Sequence, residues 1–387
     1  MSKENKFETN AIHVGNRPDP STGAISPPIH LTSTYVQDGI GKNKGFDYSR
    51  GTNPTRERLE KNIAALEGGY DAIAFSSGMA ATTALLQHLK QGDHIIISRN
   101  VYGGTYRMTT QVLSNHGLKF DFVDTTDTQN IKDAIKPETK WVFIETPTNP
   151  MLEVTDIAAV SSICKEGNIK FAVDNTFMSP FGQRPIEQGA DCVMHSSTKF
   201  IGGHSDVLGG VLVAKDKELS DKLHFIQKSG GAIPSPFDAW LLLRSVKTLG
   251  MRVQKASDNA MVIAMYFESN SKIAKTIYPG LESHPQNSIS KKQQITPHGD
   301  IIFGSMVSIV FQKKSEMEDF IKKITLFSLA ESLGGVESLM SVPYFMTHAD
   351  VPVDVKAEMD LVPELLRLAV GIEHIDDLIA DIENALA

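Results

Sequence analysis

Short apolar runs and helix-spaced apolar stripes alternate along most of the chain. The runs DAIAF (71–75), HIIIS (94–98), KFDFV (119–123), WVFIE (141–145), KFAVD (170–174) and DCVMH (191–195) have strand length. Helical patterns separate most of them, for example over 79–89 and 157–165. This alternation predicts an α/β fold: a mainly parallel sheet with helices on its faces. The first clear helix is predicted after Asn53, which can cap it. Pro54 suits its first turn, and Leu59, Ile63 and Leu66 form one stripe. Gly68 and Gly69 end it.

The pattern changes after about residue 250. A long helix is predicted over 252–269, strands over 306–311 and 368–370, and a terminal helix over 375–386. Fewer strands in this part predict a second, smaller α/β domain, and a length of 387 residues agrees with two domains. Upstream of Asn53 the chain is rich in Pro, Gly, Ser, Thr and Asn with little periodicity. It reads as an extended arm lying on a partner subunit. The expected division is an arm over 1–55, a large domain over 56–250 and a small one over 251–387.

Charge narrows the partners. A net charge of -8, with nothing to suggest a broad basic face, argues against a nucleic-acid partner. No apolar run reaches the length of a membrane span, and MSKENKFETN at the start lacks the apolar centre of a signal peptide. The two cysteines, Cys164 and Cys192, form no CxxC pair. They read as packed thiols in a reducing compartment, so the cytoplasm is expected. Twelve scattered histidines, with no HExxH and no Cys/His cluster, predict no metal site.

Four segments carry candidate chemistry. In VMHSSTKFIGGHSD (193–206), Lys199 follows a strand and the hydroxyl residues Ser196, Ser197 and Thr198. Alone, such a lysine is usually an ordinary surface residue. In a crowded, desolvated pocket its amine loses charge more easily and can attack a carbonyl to form an imine, and the hydroxyls could bind a phosphate. Asp174 ends the strand KFAVD, where α/β ligands sit. It could pair with a protonated ring nitrogen or simply cap the next turn, with Asn175 and Thr176 fitting either. In FSSGMAATTALL (75–86) a strand ends in Ser-Ser-Gly and a helix begins. Its free amides suit a phosphate, and Gly78 allows close approach. Many helices begin this way, and the run is neither a Walker loop nor a dinucleotide fingerprint, which leaves a nicotinamide dehydrogenase remote. In VYGGTYR (101–107), Tyr102 could stack on a flat ring or be a core tyrosine.

Together these segments resemble the Cys/Met-metabolism family of enzymes that use pyridoxal 5'-phosphate (PLP), within the fold-type I, aspartate-aminotransferase-like superfamily. The resemblance spans essentially the whole chain, through YSRGTNPTR (48–56), SSGMAA (76–81), NVYGGTYR (100–107), ETPTNP (145–150), VDNTFMSP (173–180), HSSTKFIGGHSD (195–206), IPSPFDAWL (233–241), LAESLGGVESL (329–339) and LLRLAVGIE (365–373). It implies that Lys199 holds PLP as an imine and serves as the base, with Asp174 at the pyridine nitrogen, supported by Thr176. Tyr102 would stack on the ring and manage the leaving-group proton. Gly78, Met79, Ser196 and Thr198 would contact the phosphate, and Tyr48 and Arg50 would reach the phosphate of a neighbouring subunit. Arg367 would bind the substrate α-carboxylate, with Asn149 and Ser332 as further contacts and Arg107 and Glu331 at the distal part of the substrate. The resemblance further implies an amino-acid substrate and a homo-oligomer, a tetramer built as a dimer of dimers.

Within the family, GGAIPSPFDAWL and SLAESLGGVESLMSVPYFMTHA look most like the cystathionine γ-lyase branch. That implies α,γ-elimination of L-cystathionine, with hydrogen sulfide as a possible side product from related thiols. The γ-synthase branch shares nearly all these motifs and is the alternative. The β-lyase branch departs at AESLGG, and methionine γ-lyases usually carry Cys where this chain has Gly104. His195 and TPHGD (296–300) are local departures from the γ-lyase pattern. A non-catalytic PLP-binding scaffold is disfavoured by the presence of Lys199, Asp174 and Arg367 together.

Overall fold

A computed structural model describes residues 5–349 and 351–387. Seven strands form the first sheet: β1 (Asp71–Phe75), β2 (His94–Ser98), β3 (Lys119–Val123), β4 (Thr139–Glu145), β5 (Lys170–Asp174), β6 (Cys192–His195) and β7 (Gly210–Ala214). Their order is β1-β7-β6-β5-β4-β2-β3. All neighbours are parallel except β7, which runs antiparallel to both β1 and β6. The mainly parallel sheet expected from the alternation is therefore present.

Apart from the edge strand β3, the strands are near-continuous apolar runs because both faces of the sheet are covered. Along β4, Val142 and Ile144 face a core that holds Leu59, Ile63, Ile157 and Val160. Trp141 and Phe143 face the opposite core, with Leu85, Leu219 and Leu223. The helix Pro54–Glu67 begins as its sequence predicts: the Asn53 side chain accepts from the Thr55 and Arg56 amides, and Gly68 closes it at φ 75°. The helix Gly78–Gln87 follows β1 and is capped by Ser77, whose hydroxyl accepts from the Ala80 amide.

β7 was not expected. GVLVA lies in the run of small residues and glycines after Lys199, with no helical stripe between it and β6. An antiparallel neighbour needs no crossover helix, so the loop of residues 196–209 is free to carry Lys199 instead. The opening segment also differs from an extended arm. Residues Phe7–His13 are helical, with Phe7 and Ala11 buried, and the Phe7 ring packs edge-on to Phe181. The first four residues of the segment read against a signal peptide lie outside the described residues. No helix among the described residues is long and apolar enough to cross a membrane.

The second sheet holds β8 (Ile273–Ile277), β9 (Met306–Phe311), β10 (Ser328–Leu329), β11 (Leu339–Ser341) and β12 (Leu365–Ala369), in the order β10-β11-β12-β9-β8. It has more strands than the sequence pattern indicates, and three of them (β8, β10 and β11) were not expected. On one face, Val307, Ile309, Leu366 and Leu368 pack with Phe267, Phe320 and Leu378. The intervening positions Ser308 and Arg367 are paired neighbours. Strand alternation turns both toward the opposite face, where they meet the loop after β4.

Candidate active site

A cavity of about 330 Å³ opens where β1, β4, β5 and β6 reach their carboxyl ends. Such edges are where ligands bind in open α/β sheets. Twelve of the residues singled out in the sequence line it: Gly78, Met79, Tyr102, Asn149, Asp174, Thr176, Ser196, Thr198, Lys199, Glu331, Ser332 and Arg367. Three do not. Tyr48 is exposed on the opening segment, with the Arg50 guanidinium 5.6 Å from its ring centre. Arg50 donates to the Lys228 carbonyl, and Arg107 sits at the exposed end of the helix Gly103–Arg107.

Lys199 follows β6 in a tight turn, in which the Lys199 amide donates to the Ser196 carbonyl and the Gly203 amide to the Lys199 carbonyl. Its Nζ donates to Ser332 Oγ at 2.8 Å. Burial, and then the charge of Arg367, push its pKa down to about 8, against the pull of Glu331. A neutral amine is thus accessible near neutral pH, as imine chemistry requires. Ser332 has φ 101°, a conformation that a non-glycine residue holds only when its surroundings fix it. Here the Lys199 amine bonds its hydroxyl and Arg367 Nη2 bonds its carbonyl at 2.9 Å.

Asp174 is buried at 7% exposure. It accepts from the Thr176 amide at 3.0 Å. Burial raises its pKa, with the Thr176 hydroxyl and amide and the His195 ring opposing. A cationic ring nitrogen beside it would complete this environment. Thr176 Oγ1 also accepts from the Ser196 amide at 2.8 Å, tying β5 to the loop that carries Lys199. Nearby, the Gly78 and Met79 amides stand in the first helical turn, where amides lack intrahelical acceptors. The hydroxyls of Ser196 and Thr198 line the same cavity. A Cβ at Gly78 would come within 2.8 Å of Ser196 Cβ, so only glycine fits that approach. An anion cradle, a ring-nitrogen partner and an amine in one cavity fit PLP. Gly78, Met79, Ser196 and Thr198 would hold its phosphate, Asp174 its ring nitrogen, and Lys199 its aldehyde carbon.

Across the cavity, Arg367 is 2% exposed. Its Nη1 donates to Asn149 Oδ1 at 2.8 Å, and burial lowers its pKa to about 10. Further lining residues were not singled out in the sequence, among them Glu145 and Thr347. Glu145 had a visible signal. It ends WVFIE just as Asp174 ends KFAVD, and the two stand opposite each other in register.

The chain belongs to the Cys/Met metabolism PLP-dependent enzyme family, whose model matches residues 8–387. It is 46% identical over 380 residues to a cystathionine beta-lyase of Lactococcus lactis subsp. cremoris (strain MG1363), covering 98% of each chain. It is 44% identical over 381 residues to a cystathionine gamma-lyase of Bacillus subtilis (strain 168), covering 98% of this chain and 99% of that one. The structure of cystathionine gamma-lyase from Lactobacillus plantarum complexed with L-serine superposes with a TM-score of 0.95 at 42% identity, covering 98% of both chains. The chain is thus a fold-type I enzyme that uses PLP, at similar distance from γ- and β-lyases.

Proposed function

We propose that this enzyme cleaves the Cγ–S bond of L-cystathionine, consuming water and giving L-cysteine, 2-oxobutanoate and ammonia. The choice of the Cγ–S bond rests on the resemblance of GGAIPSPFDAWL and SLAESLGGVESLMSVPYFMTHA to the γ-lyase branch, and the observation that supports cystathionine as the substrate is the charge pattern of the cavity. Buried Arg367 offers a cation for an α-carboxylate, and Glu331 offers an anion for a second, distal ammonium. Lys199 feels both charges. Cystathionine is a thioether with an amino acid at each end.

Bound PLP supplies an electron sink that lets protons leave carbons near the substrate nitrogen. The chain supplies the rest. Arg367 fixes the α-carboxylate, and Asp174 keeps the ring nitrogen protonated. Lys199 takes the Cα proton and moves protons between Cα, Cβ and Cγ, for which its flexible stem suits it. A Cβ proton leaves, the Cγ–S electron pair departs with sulfur, and Tyr102 protonates the leaving thiolate. Water then provides the keto oxygen as ammonia is released. Gly104 disfavours a methionine γ-lyase reading, because those enzymes usually carry Cys at this position. A Cβ there would lie 2.5 Å from Tyr102 Cε1 and 2.9 Å from Met79 Sδ, so a cysteine would displace the ring.

Similarity to the Lactococcus protein supports β-cleavage of the same substrate as a second reading. Holo-protein incubated with L-cystathionine decides between them. Cysteine with 2-oxobutanoate is expected, whereas homocysteine with pyruvate refutes γ-cleavage. No cleavage, with consumption of an O-acylhomoserine and cysteine instead, identifies a γ-synthase.

The same reading divides the chain into an arm (1–55), a large domain (56–250) and a small domain (251–387). Tyr48 and Arg50, exposed and off the chain's own cavity, would reach the phosphate site of a second copy, and two such dimers would form a tetramer. Arg107 would meet the distal end of the substrate. Cys164 and Cys192 are buried and unpaired, which suits a reducing compartment such as the cytoplasm.

A further inference from the structure

We propose that Glu145 is a positioning residue that sets Tyr102 and, through Asn149, Arg367. Glu145 closes β4 and is 4% exposed. Its two oxygens divide their work. Oε2 accepts from the Tyr102 amide at 2.8 Å, and Oε1 accepts from the Asn149 amide at 2.9 Å. The line continues from Asn149 Oδ1 to Arg367 Nη1 at 2.8 Å, from Arg367 Nη2 to the Ser332 carbonyl at 2.9 Å, and from Ser332 Oγ to Lys199 Nζ at 2.8 Å. The ring offered to the cofactor and the guanidinium offered to the carboxylate come from different sheets. One carboxyl is the common reference for both.

Its setting is costly. Burial and the neighbouring Asp174 carboxyl push its pKa well up, against the two amides and Arg367. An apolar residue would avoid that cost but leave two amides without acceptors. Glutamine would keep the shape yet present an NH₂ to one amide, losing one bond. Aspartate, one methylene shorter, would not span both.

The proposal rests on Arg367 as the carboxylate site, and not on which C–S bond breaks. The test is Glu145→Gln, read in two ways. In the apo-protein, hydrogen–deuterium exchange is followed in peptides containing Tyr102 and Asn149, and exchange about tenfold faster in at least one is expected. In the holo-protein, absorbance titrations compare L-2-aminobutanoate with 1-propylamine, which lacks only the carboxylate. The amino acid should bind about tenfold more weakly, the amine within about threefold of wild type. General loosening of the fold would weaken both alike. Unchanged exchange, or equal effects on the two ligands, overturns the proposal. If Glu145→Gln does not fold, the same two readings are taken on Glu145→Asp, whose shorter side chain cannot reach both amides, and the same carboxylate-selective loss must appear. Failure of the wild type to bind L-2-aminobutanoate would instead remove the reading of Arg367 on which the proposal stands.

Discussion

Lys199 owes its chemistry first to burial and then to two neighbours of opposite effect. Burial and Arg367 disfavour its charged form, Glu331 favours it, and the balance leaves the amine titrating at about 8. PLP capture needs the neutral amine. In the apo-protein, the rate of cofactor uptake should therefore rise with pH through a midpoint near 8, followed as growth of the visible absorbance band. Arg367→Met removes a positive charge that opposes protonation, so Lys199 should hold its proton more tightly and the midpoint should move to higher pH. A midpoint that stays put, or moves down, contradicts this account of the site. The chemistry of Lys199, Asp174 and the Ser77–Met79 turn was legible because each follows a recognisable strand. Arg367 and Ser332 entered only through resemblance. Nothing in LLRLA or AESLGG says that a second sheet folds over the first. Glu145 was overlooked although it occupies the same strand-end position as Asp174, because a strand-end carboxylate is commonly a cap.

At the level of elements, strands covered on both faces were easy to read, since their apolar runs have sharp ends. β7, β8, β10 and β11 were not. β7 sits among glycines, β10 and β11 hold two and three residues, and β8, IAKTI, is buried only at its two ends. The opening segment shows how local bonds shape a stretch with little periodicity. Asn53 caps one helix while its Nδ2 donates to the His30 carbonyl, Tyr35 and Ser49, and Ser49 Oγ donates to the Thr32 carbonyl. This clasp presents Tyr48 and Arg50 outward, away from their own cavity. If they serve a second copy, Arg50→Ala and Lys199→Ala are each inactive but complement each other. Random mixing through unfolding and refolding makes half the dimers heterologous, each with one intact site, so about a quarter of wild-type activity should return. No return of activity means that the site is built within one chain.

The whole molecule is joined at a polar seam. Side chains from beyond residue 280 grip the loop that leaves β4. Ser308 Oγ donates to the Pro150 carbonyl at 2.7 Å, His284 Nε2 bonds the Leu152 carbonyl at 3.1 Å, and Gln293 Nε2 donates to the Thr155 carbonyl at 3.0 Å. Asn149 lies in the same loop, so movement of the second sheet would carry the partner of Arg367 with it. His284 makes this seam sensitive to acid. Its neutral ring uses both nitrogens, with Nε2–H donating to Leu152 and Nδ1 accepting from the Gln286 amide at 3.2 Å. Burial, helped by Lys275, holds its pKa down to about 4 from an ordinary 6.5. Between those values the unfolded chain binds a proton that the folded chain refuses, so stability is lost as pH falls from 6.5 toward 4. The shift corresponds to roughly 3 kcal/mol. Glu60, Glu67, Glu145 and Asp174, whose pKa values burial raises, act in the opposite sense, so the wild-type profile alone does not isolate the histidine. His284→Gln does. Glutamine retains a donor and an acceptor but does not titrate, and the carboxyl contributions cancel in the comparison. Urea midpoints should show the variant gaining on wild type as pH falls from 7 to 4, by up to about 3 kcal/mol. Parallel profiles would mean that the seam carries no proton-linked cost at His284.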